Sequence, residues 1–404
     1  EGSVGEYSEN GVVVYNDETA PVDTFECNNK LIGARYYGET FSSVYEIQFP
    51  LGEFASPRDA DGHGSHTAST AAGNEGVTAT LQGVEVGAVS GIAPRARIAA
   101  YKVCWNSLYV SPNGVNERGC FFGDSMAAID QAVVDGVDVL NYSIGNSNLI
   151  NSPVYNAALR AADAGVFFSA SAGNSGPTAG TTGNIAPWIT TVAASTYDGE
   201  SALVGTTLEI NSGTLAGQEM FSVSSDIGTD IPEEGFSGEL GLADPLLACE
   251  PLSTNLTDQI ALIERGVCPF VDKFENAIAA GAKGVVVFTD DRTPIAMGGD
   301  VTFNIPGVMI ERANGLALVD SVNSGETSVT MTTSPAATTA IEVGNIMAGF
   351  SSRGPNPQSG DILKPDITAP GVRILAATSE NQLDIPGNVD GESYAYLQGT
   401  SMSS

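Results

Sequence analysis

Residues 137–168 read VDVLNYSIGNSNLINSPVYNAALRAADAGVFF. Val137 to Ser143 has the apolar, β-branched character of a strand. Val154 to Ala164 places its apolar residues along one side of a helix, Gly165 stops that helix, and Val166-Phe167-Phe168 opens a second apolar strand. Strand, helix and buried strand in so short a span predict a βαβ unit, hence a parallel sheet covered on both faces. Upstream the pattern repeats. Arg97 to Val103 reads as a buried strand, Gly123-Asp124-Ser125 supplies cap residues, and Met126, Ile129, Ala132 and Val133 share one helical face that ends at Gly136. The fold class is therefore α/β, with a parallel, doubly wound sheet.

Downstream the style changes. From Leu208 to Thr339 the chain gives short strands between Gly, Asn, Asp and Ser turns, with one helix at Val271 to Ala280 ahead of a strand at Gly284 to Thr289. The α/β style returns at Ile341. The simplest organisation is a β-rich α+β module, 210–340, inserted between the two parts, 1–209 and 341–404, of an α/β domain. Residues 1–50 contribute a β-rich stretch at Gly11 to Tyr15 and an acidic loop.

The composition bounds the function. A chain of 404 residues that is 42% hydrophobic has an ordinary globular core. Sixteen Lys and Arg against 48 Asp and Glu give a net charge of −32. That argues against a nucleic-acid partner, because phosphates need cations to neutralise them. It reads instead as a heavily solvated surface. No apolar run is long enough to span a bilayer, and no leader opens the chain. Glu1 in place of Met predicts that the natural N-terminus lies upstream. The five cysteines form no CxxC pair, so a zinc site is not assigned. The spacings predict two local disulfides, Cys104–Cys120 and Cys249–Cys268, which suit a secreted protein. Cys27 stands apart.

Three segments carry chemistry. Residues 61–73, DGHGSHTASTAAG, hold both histidines, His63 and His66, and their small residues allow a helix to pack close to another backbone. An HxxH pair can bind a metal, but no acid or cysteine cluster stands at ligand spacing beside it. Residues 169–177, SASAGNSGP, follow an apolar strand. They put Asn174 at the end of a parallel strand where α/β sites are built, with an amide suited to a developing oxyanion. Alone, it would pass for a turn residue. Residues 399–404, GTSMSS, place Ser401 after a glycine turn at the start of a helix. The helix N-terminus and the residue's own N–H would both favour negative charge there.

In this order the three segments resemble the subtilisin-like serine proteases, the subtilases. FSSRGP (350–355), LKPDITAPGV (363–372), DGVDV (135–139) and SIG (143–145) extend the likeness. CNNKLIGAR (27–35) and AYKVCW (100–105) are similar to the plant cucumisin-like branch and its bacterial relatives. Within the insert, IALIERGVCPF (260–270), Lys273, Asn276-Ala277, AGAKGV (280–285) and Ile305-Pro306 resemble the protease-associated domain. In that branch it sits between the oxyanion Asn and the catalytic Ser; no catalytic set lies within it here.

The resemblance implies a secreted serine endopeptidase acting on protein or peptide substrates, with its own propeptide in the precursor and no required cofactor. Calcium is common in the family, but no ligands are assigned to it here. Ser401 would be the nucleophile, His63 the general base and Asn174 an oxyanion donor. Ser143, Ile144 and Gly145 would pair with the substrate backbone, and Ala170, Ser171, Ala172 and Gly173 would wall the specificity pocket. The family's catalytic Asp stands in an Asp-Thr-Gly or Asp-Ser-Gly turn, and no such tripeptide precedes His63. Asp17, after VVVYN, is the one strand-ending candidate and lacks the Thr-Gly, so the Asp is expected upstream of residue 1. Cys27 is expected to be left over for the same reason, its usual partner lying upstream. Because Ser401 is three residues from the last position, the nucleophile's helix is not expected to form, and this fragment alone is expected to be inactive. The missing Asp supports a rival reading, a catalytically dead protease serving as a binding module. A metal hydrolase using His63 and His66 lacks a third ligand.

Overall fold

The computed structural model describes residues 6–7, 12–15, 23–49, 52–81, 83–110, 116–145, 149–290, 292–298, 302–379 and 393–404. The chain divides into two compact units. Glu1–Thr80, Gly87–Asp198 and Val343–Ser404 form the first, and Leu81–Val86 with Gly199–Glu342 form the second.

The first unit has the α/β character expected. Its sheet joins Val139–Tyr142, Phe167–Ser171, Thr190–Thr196 and Ile367–Val372 in that order, all parallel. A separate parallel pair joins Leu31–Tyr36 to Ile98–Lys102. The helix Phe122–Asp135 ends as its glycine signals: Gly136, at φ 80°, turns its N–H back onto the carbonyls of Ala132 and Val133. The helix Pro153–Asp163 starts with Pro at its first position, where no N–H is needed. Tyr155, Ala157, Ala158 and Ala161 on that helix pack with Phe168 and Ala170 of the neighbouring strand in one apolar cluster. The strand Val12–Tyr15 is not part of the parallel sheet. It is the middle strand of an antiparallel three-stranded sheet with Glu6–Tyr7 and Asp23–Glu26. Asp17 lies outside the described residues.

The second unit is a closed barrel. In order around it run Gly199–Ile210, Glu219–Ser224, Gly307–Ile310, Gly284–Phe288, Ile260–Glu264, Phe236–Leu242 and Ser328–Glu342. Gly284–Phe288 is buried along its whole length, as a parallel strand between parallel neighbours should be. The helices Phe270–Ala279 and Arg312–Ser324 complete it, the second in addition to the one helix expected. Two of its strands are not short. Gly199–Ile210 has 12 residues and Ser328–Glu342 has 15, and they pair antiparallel from Gly199↔Glu342 to Ile210↔Val329. That pairing places the borders at 198/199 and 342/343 rather than the expected 209/210 and 340/341.

Disulfides join Cys104 to Cys120, on adjacent antiparallel strands of the first unit, and Cys249 to Cys268 in the second. Cys27 is in neither. Among the described residues no helix is long and apolar enough to cross a membrane.

Candidate active site

His63 opens the helix His63–Ala72. The first N–H groups of a helix have no partner within it, and carboxylates ahead of this one take those of His63 and Ser65. Asp59 Oδ1 accepts the N–H of Asp61 (3.0 Å) and Gly62 (2.8 Å), while Oδ2 accepts the N–H (2.7 Å) and hydroxyl (2.8 Å) of Ser65. Asp61 adds a longer bond from the His63 N–H, 3.3 Å, and a salt bridge from Arg118, 3.1 Å. The segment leading in is held by Lys102, whose Nζ donates to Glu53 (2.5 Å) and to the Arg58 carbonyl (2.8 Å). Burial pushes the His63 pKa down against the opposing pull of Asp61 and Asp59. The imidazole is therefore neutral at pH 7 and able to accept a proton.

The other end of this helix explains its small residues. Ile92 and Ala93 donate to the carbonyls of Thr70 and Ala71 at 2.9 and 2.8 Å, and Gly91 donates to Gly73 at 3.2 Å. A Cβ on Gly91 would collide with the Gly73 nitrogen.

His66, one turn on, is fully buried. Its Nε2 lies 2.9 Å from the Ile374 carbonyl and 3.2 Å from that of Ala395. Carbonyls only accept, so Nε2 carries the hydrogen and cannot also ligate a metal. Nδ1 is buried with no hydrogen-bond partner among the described residues, and burial lowers the pKa to about 4. Those two carbonyls belong to the hairpin Ile374–Ala377/Tyr394–Leu397, which runs into the Ser401 turn. Ser69 Oγ accepts the Ala377 N–H at 3.0 Å, a second tie between helix and hairpin.

Asn174 follows the strand Phe167–Ser171, past Gly173 at φ 99°. Its Oδ1 accepts both the N–H (2.9 Å) and the hydroxyl (3.0 Å) of Thr400. The same hydroxyl accepts the Gly173 N–H at 3.0 Å. With Oδ1 engaged, Nδ2 is the edge left to donate, and it stands 3.4 Å from where a Cβ on Gly399 would be.

The expectation that no helix forms at Ser401 is corrected. Thr400–Ser403 makes one helical turn. Asn174 takes the Thr400 N–H, a free donor of that first turn, and Gly399 donates to the Gly371 carbonyl at 2.8 Å. Ser401 is 9% exposed, and its Oγ donates to the Ser143 carbonyl at 3.4 Å. Among the described residues no hydrogen bond joins Ser401 to His63, although their helices come within 8 Å at Cα.

Of the segments expected to meet a substrate, Ser143, Ile144 and Gly145 follow the strand Val139–Tyr142, with Gly145 exposed. The Ser143 hydroxyl donates to the Ser401 carbonyl at 2.9 Å. Ala170 and Ser171 end their strand, and Ala172 and Gly173 lie beyond it. The side chains of Ala170 and Ala172 are wholly buried, so their offer to a ligand is backbone. The structure thus gathers Asn174, Gly173, Thr400, Ser401 and Ser143, and brings the His63 helix alongside. Asp59 and Thr400 were not singled out from the sequence. An acid ahead of a helix start and the Thr inside Gly-Thr-Ser were the available signals.

The Subtilase family matches residues 47–404. The chain belongs to that family. Among relatives of this subtilase, Subtilisin-like protease SBT1.6 of Arabidopsis thaliana is 35% identical over 93% of this chain and 49% of its own length. Subtilisin-like protease Glyma18g48580 of Glycine max is 37% identical over 93% of this chain and 49% of its own. This subtilase chain therefore spans about half the length of the curated relatives it matches. The crystal structure of the psychrophilic subtilisin-like protease Apa1 from the Antarctic psychrotroph Pseudoalteromonas sp. AS-11 aligns with a TM-score of 0.43 and 18% identity, over 87% of this chain and 85% of that one.

Proposed function

We propose that this subtilase chain carries the nucleophile, general base and oxyanion donor of a secreted serine endopeptidase. The observation that carries the reading is the pair of hydrogen bonds from Thr400 to Asn174 Oδ1, which leaves the amide Nδ2 as a donor beside the Gly399-Thr400-Ser401 turn. Ser401 Oγ attacks the scissile carbonyl carbon while His63 takes its proton. The tetrahedral oxyanion forms against Asn174 Nδ2 and the Ser401 N–H. Collapse expels the amine, which leaves with the proton from His63. A water then repeats the sequence on the acyl-enzyme and frees Ser401. The carboxylate that would orient the His63 ring comes from outside the described residues. The chemistry requires no metal.

The closed barrel is, in this reading, a protease-associated domain that contributes no reacting group. The two disulfides fit an oxidising, extracellular setting. Protein chains are the substrates, held by backbone pairing along Ser143-Ile144-Gly145. A propeptide accompanies the precursor.

The test is peptide hydrolysis by the full-length protein. Ser401→Ala and His63→Ala should each lower turnover on the order of 10⁶-fold, the magnitude already known for subtilisin. Asn174→Ala should lower it roughly 10²–10³-fold, again subtilisin's own value for one lost oxyanion donor. Near-normal hydrolysis by the Ser401→Ala variant ends the serine-protease reading.

A further inference from the structure

We propose that Asn184 is a positioning residue that sets which substrate side chain the cleft accepts, by wedging its two walls at a fixed separation. The inference rests on the serine-protease reading above and concerns the same cleft.

The strands Val139–Tyr142 and Phe167–Ser171 pair in parallel register, and their ladder ends at Tyr142↔Ala170. Beyond that rung the ladder stops, and a crevice at the carboxyl ends of parallel strands is where ligands enter. Asn184 spans this place. Its Nδ2 donates to the Ile144 carbonyl at 3.0 Å and to the Ser171 carbonyl at 2.8 Å. Both oxygens only accept, so the amide orientation is fixed, with its two hydrogens facing the two walls. Where the backbone ladder stops, one side chain supplies the next rung.

The residue is itself firmly seated. It is 1% exposed. Its carbonyl accepts the Thr191 hydroxyl at 2.5 Å, and the preceding Gly183 donates to the Ala172 carbonyl at 2.7 Å. Two further features mark the position. Its backbone is left-handed, at φ 51°, and its Oδ1 is buried with no partner among the described residues. A buried polar atom without a protein partner is rare in a folded core and is a mark of functional sites.

Asn184 also orients the substrate-pairing edge. Its bond holds the Ile144 carbonyl, and the neighbouring Ser143 carbonyl accepts the Ser401 Oγ hydrogen at 3.4 Å. The wedge thus holds the gap between the walls and the edge to which a peptide would bond.

The experiment uses the full-length protein with Asn184→Leu and Asn184→Asp. A peptide series varies the residue before the scissile bond from a small aliphatic to a large aromatic side chain. The ratio of kcat/KM for large over small should shift at least about tenfold in both variants, mainly through KM. A side chain that merely stabilises the fold would lower both substrates alike and leave the ratio unmoved. In Asn184→Asp the new carboxyl faces two carbonyls, which favours its neutral, donating form. Selectivity in that variant should therefore return toward wild type as the pH is lowered, and in Asn184→Leu it should not. A ratio within about twofold of wild type in both variants overturns the proposal. Failure of both variants to fold also overturns it, because the residue would then hold the fold and not the cleft. The wild type and Ser401→Ala are run beside them. If these two cleave alike, the serine-protease reading itself falls and this inference falls with it.

Discussion

His63 and His66 stand one turn apart on one helix and do opposite things. His63 is half-buried, with Asp59, Asp61 and Arg118 acting on its charge, and its ring stays neutral, so one nitrogen is an acceptor. His66 spends its Nε2 hydrogen on two carbonyls in a fully buried site. The folded state holds the His66 pKa at about 4 against the ordinary 6.5. Below 6.5 the unfolded chain takes up a proton that the folded chain refuses, so stability falls as the pH drops from 6.5 to about 4 and is fully present above 6.5. The loss should approach about 3 kcal/mol. Urea unfolding of wild type and His66→Gln across that window checks it: the difference in their pH slopes should match one buried histidine, and equal slopes would reject the assignment. The sequence offered both histidines, Asn174 and Ser401 because each sits in a short local pattern. It did not offer the Asn174–Thr400 bond, which spans 226 positions, or the role of Asn184, which exists only once two strands have parted.

At the scale of elements, close approach is built from missing side chains. The turn at Gly91 lies against the end of the His63–Ala72 helix with no room for a methyl group. Gly91→Ala should therefore destabilise by about 1–3 kcal/mol, as overpacking does, in place of the small gain an unstrained Gly→Ala change can bring. A drop of several degrees in Tm is the expected readout, and an unchanged or raised Tm would show that the backbone gives way cheaply. The helices Phe122–Asp135, Pro153–Asp163 and Phe270–Ala279 and the strands beside them were legible within a few residues, since apolar periodicity and stop glycines are local signals; the 13-residue helix Arg312–Ser324 and the sheet strands Thr190–Thr196 and Ile367–Val372 were not read. The 12- and 15-residue strands were not. Their residues are largely Thr, Ala, Ser and Gly, whose modest hydropathy hides a strand that earns its place by pairing along its whole length. The turn at Thr400–Ser403 was also missed, because its anchors come from Asn174 and Gly371 and not from its own few residues.

At the scale of the whole molecule, both apolar clusters of the barrel are composed solely of residues between 199 and 342. Residues 199–342 expressed alone should give a single cooperative thermal transition with an intact Cys249–Cys268 disulfide. A broad, non-cooperative melt would mean that the barrel needs the rest of the chain. The α/β class was readable from residues 137–168, whereas the borders of the insert were not, because they are set by one pairing between distant strands. That pairing makes Gly199 and Glu342 direct partners, so the barrel starts and finishes at a single point. On the other side of the joint, the Gly344 N–H reaches the Asp198 carboxylate at 3.4 Å. For recombination, this is a graft site for the barrel strands, though the second unit also takes in Leu81–Val86. Any module whose own termini lie about 5 Å apart could be exchanged there without a linker, and a gene could acquire or shed such a module in one event.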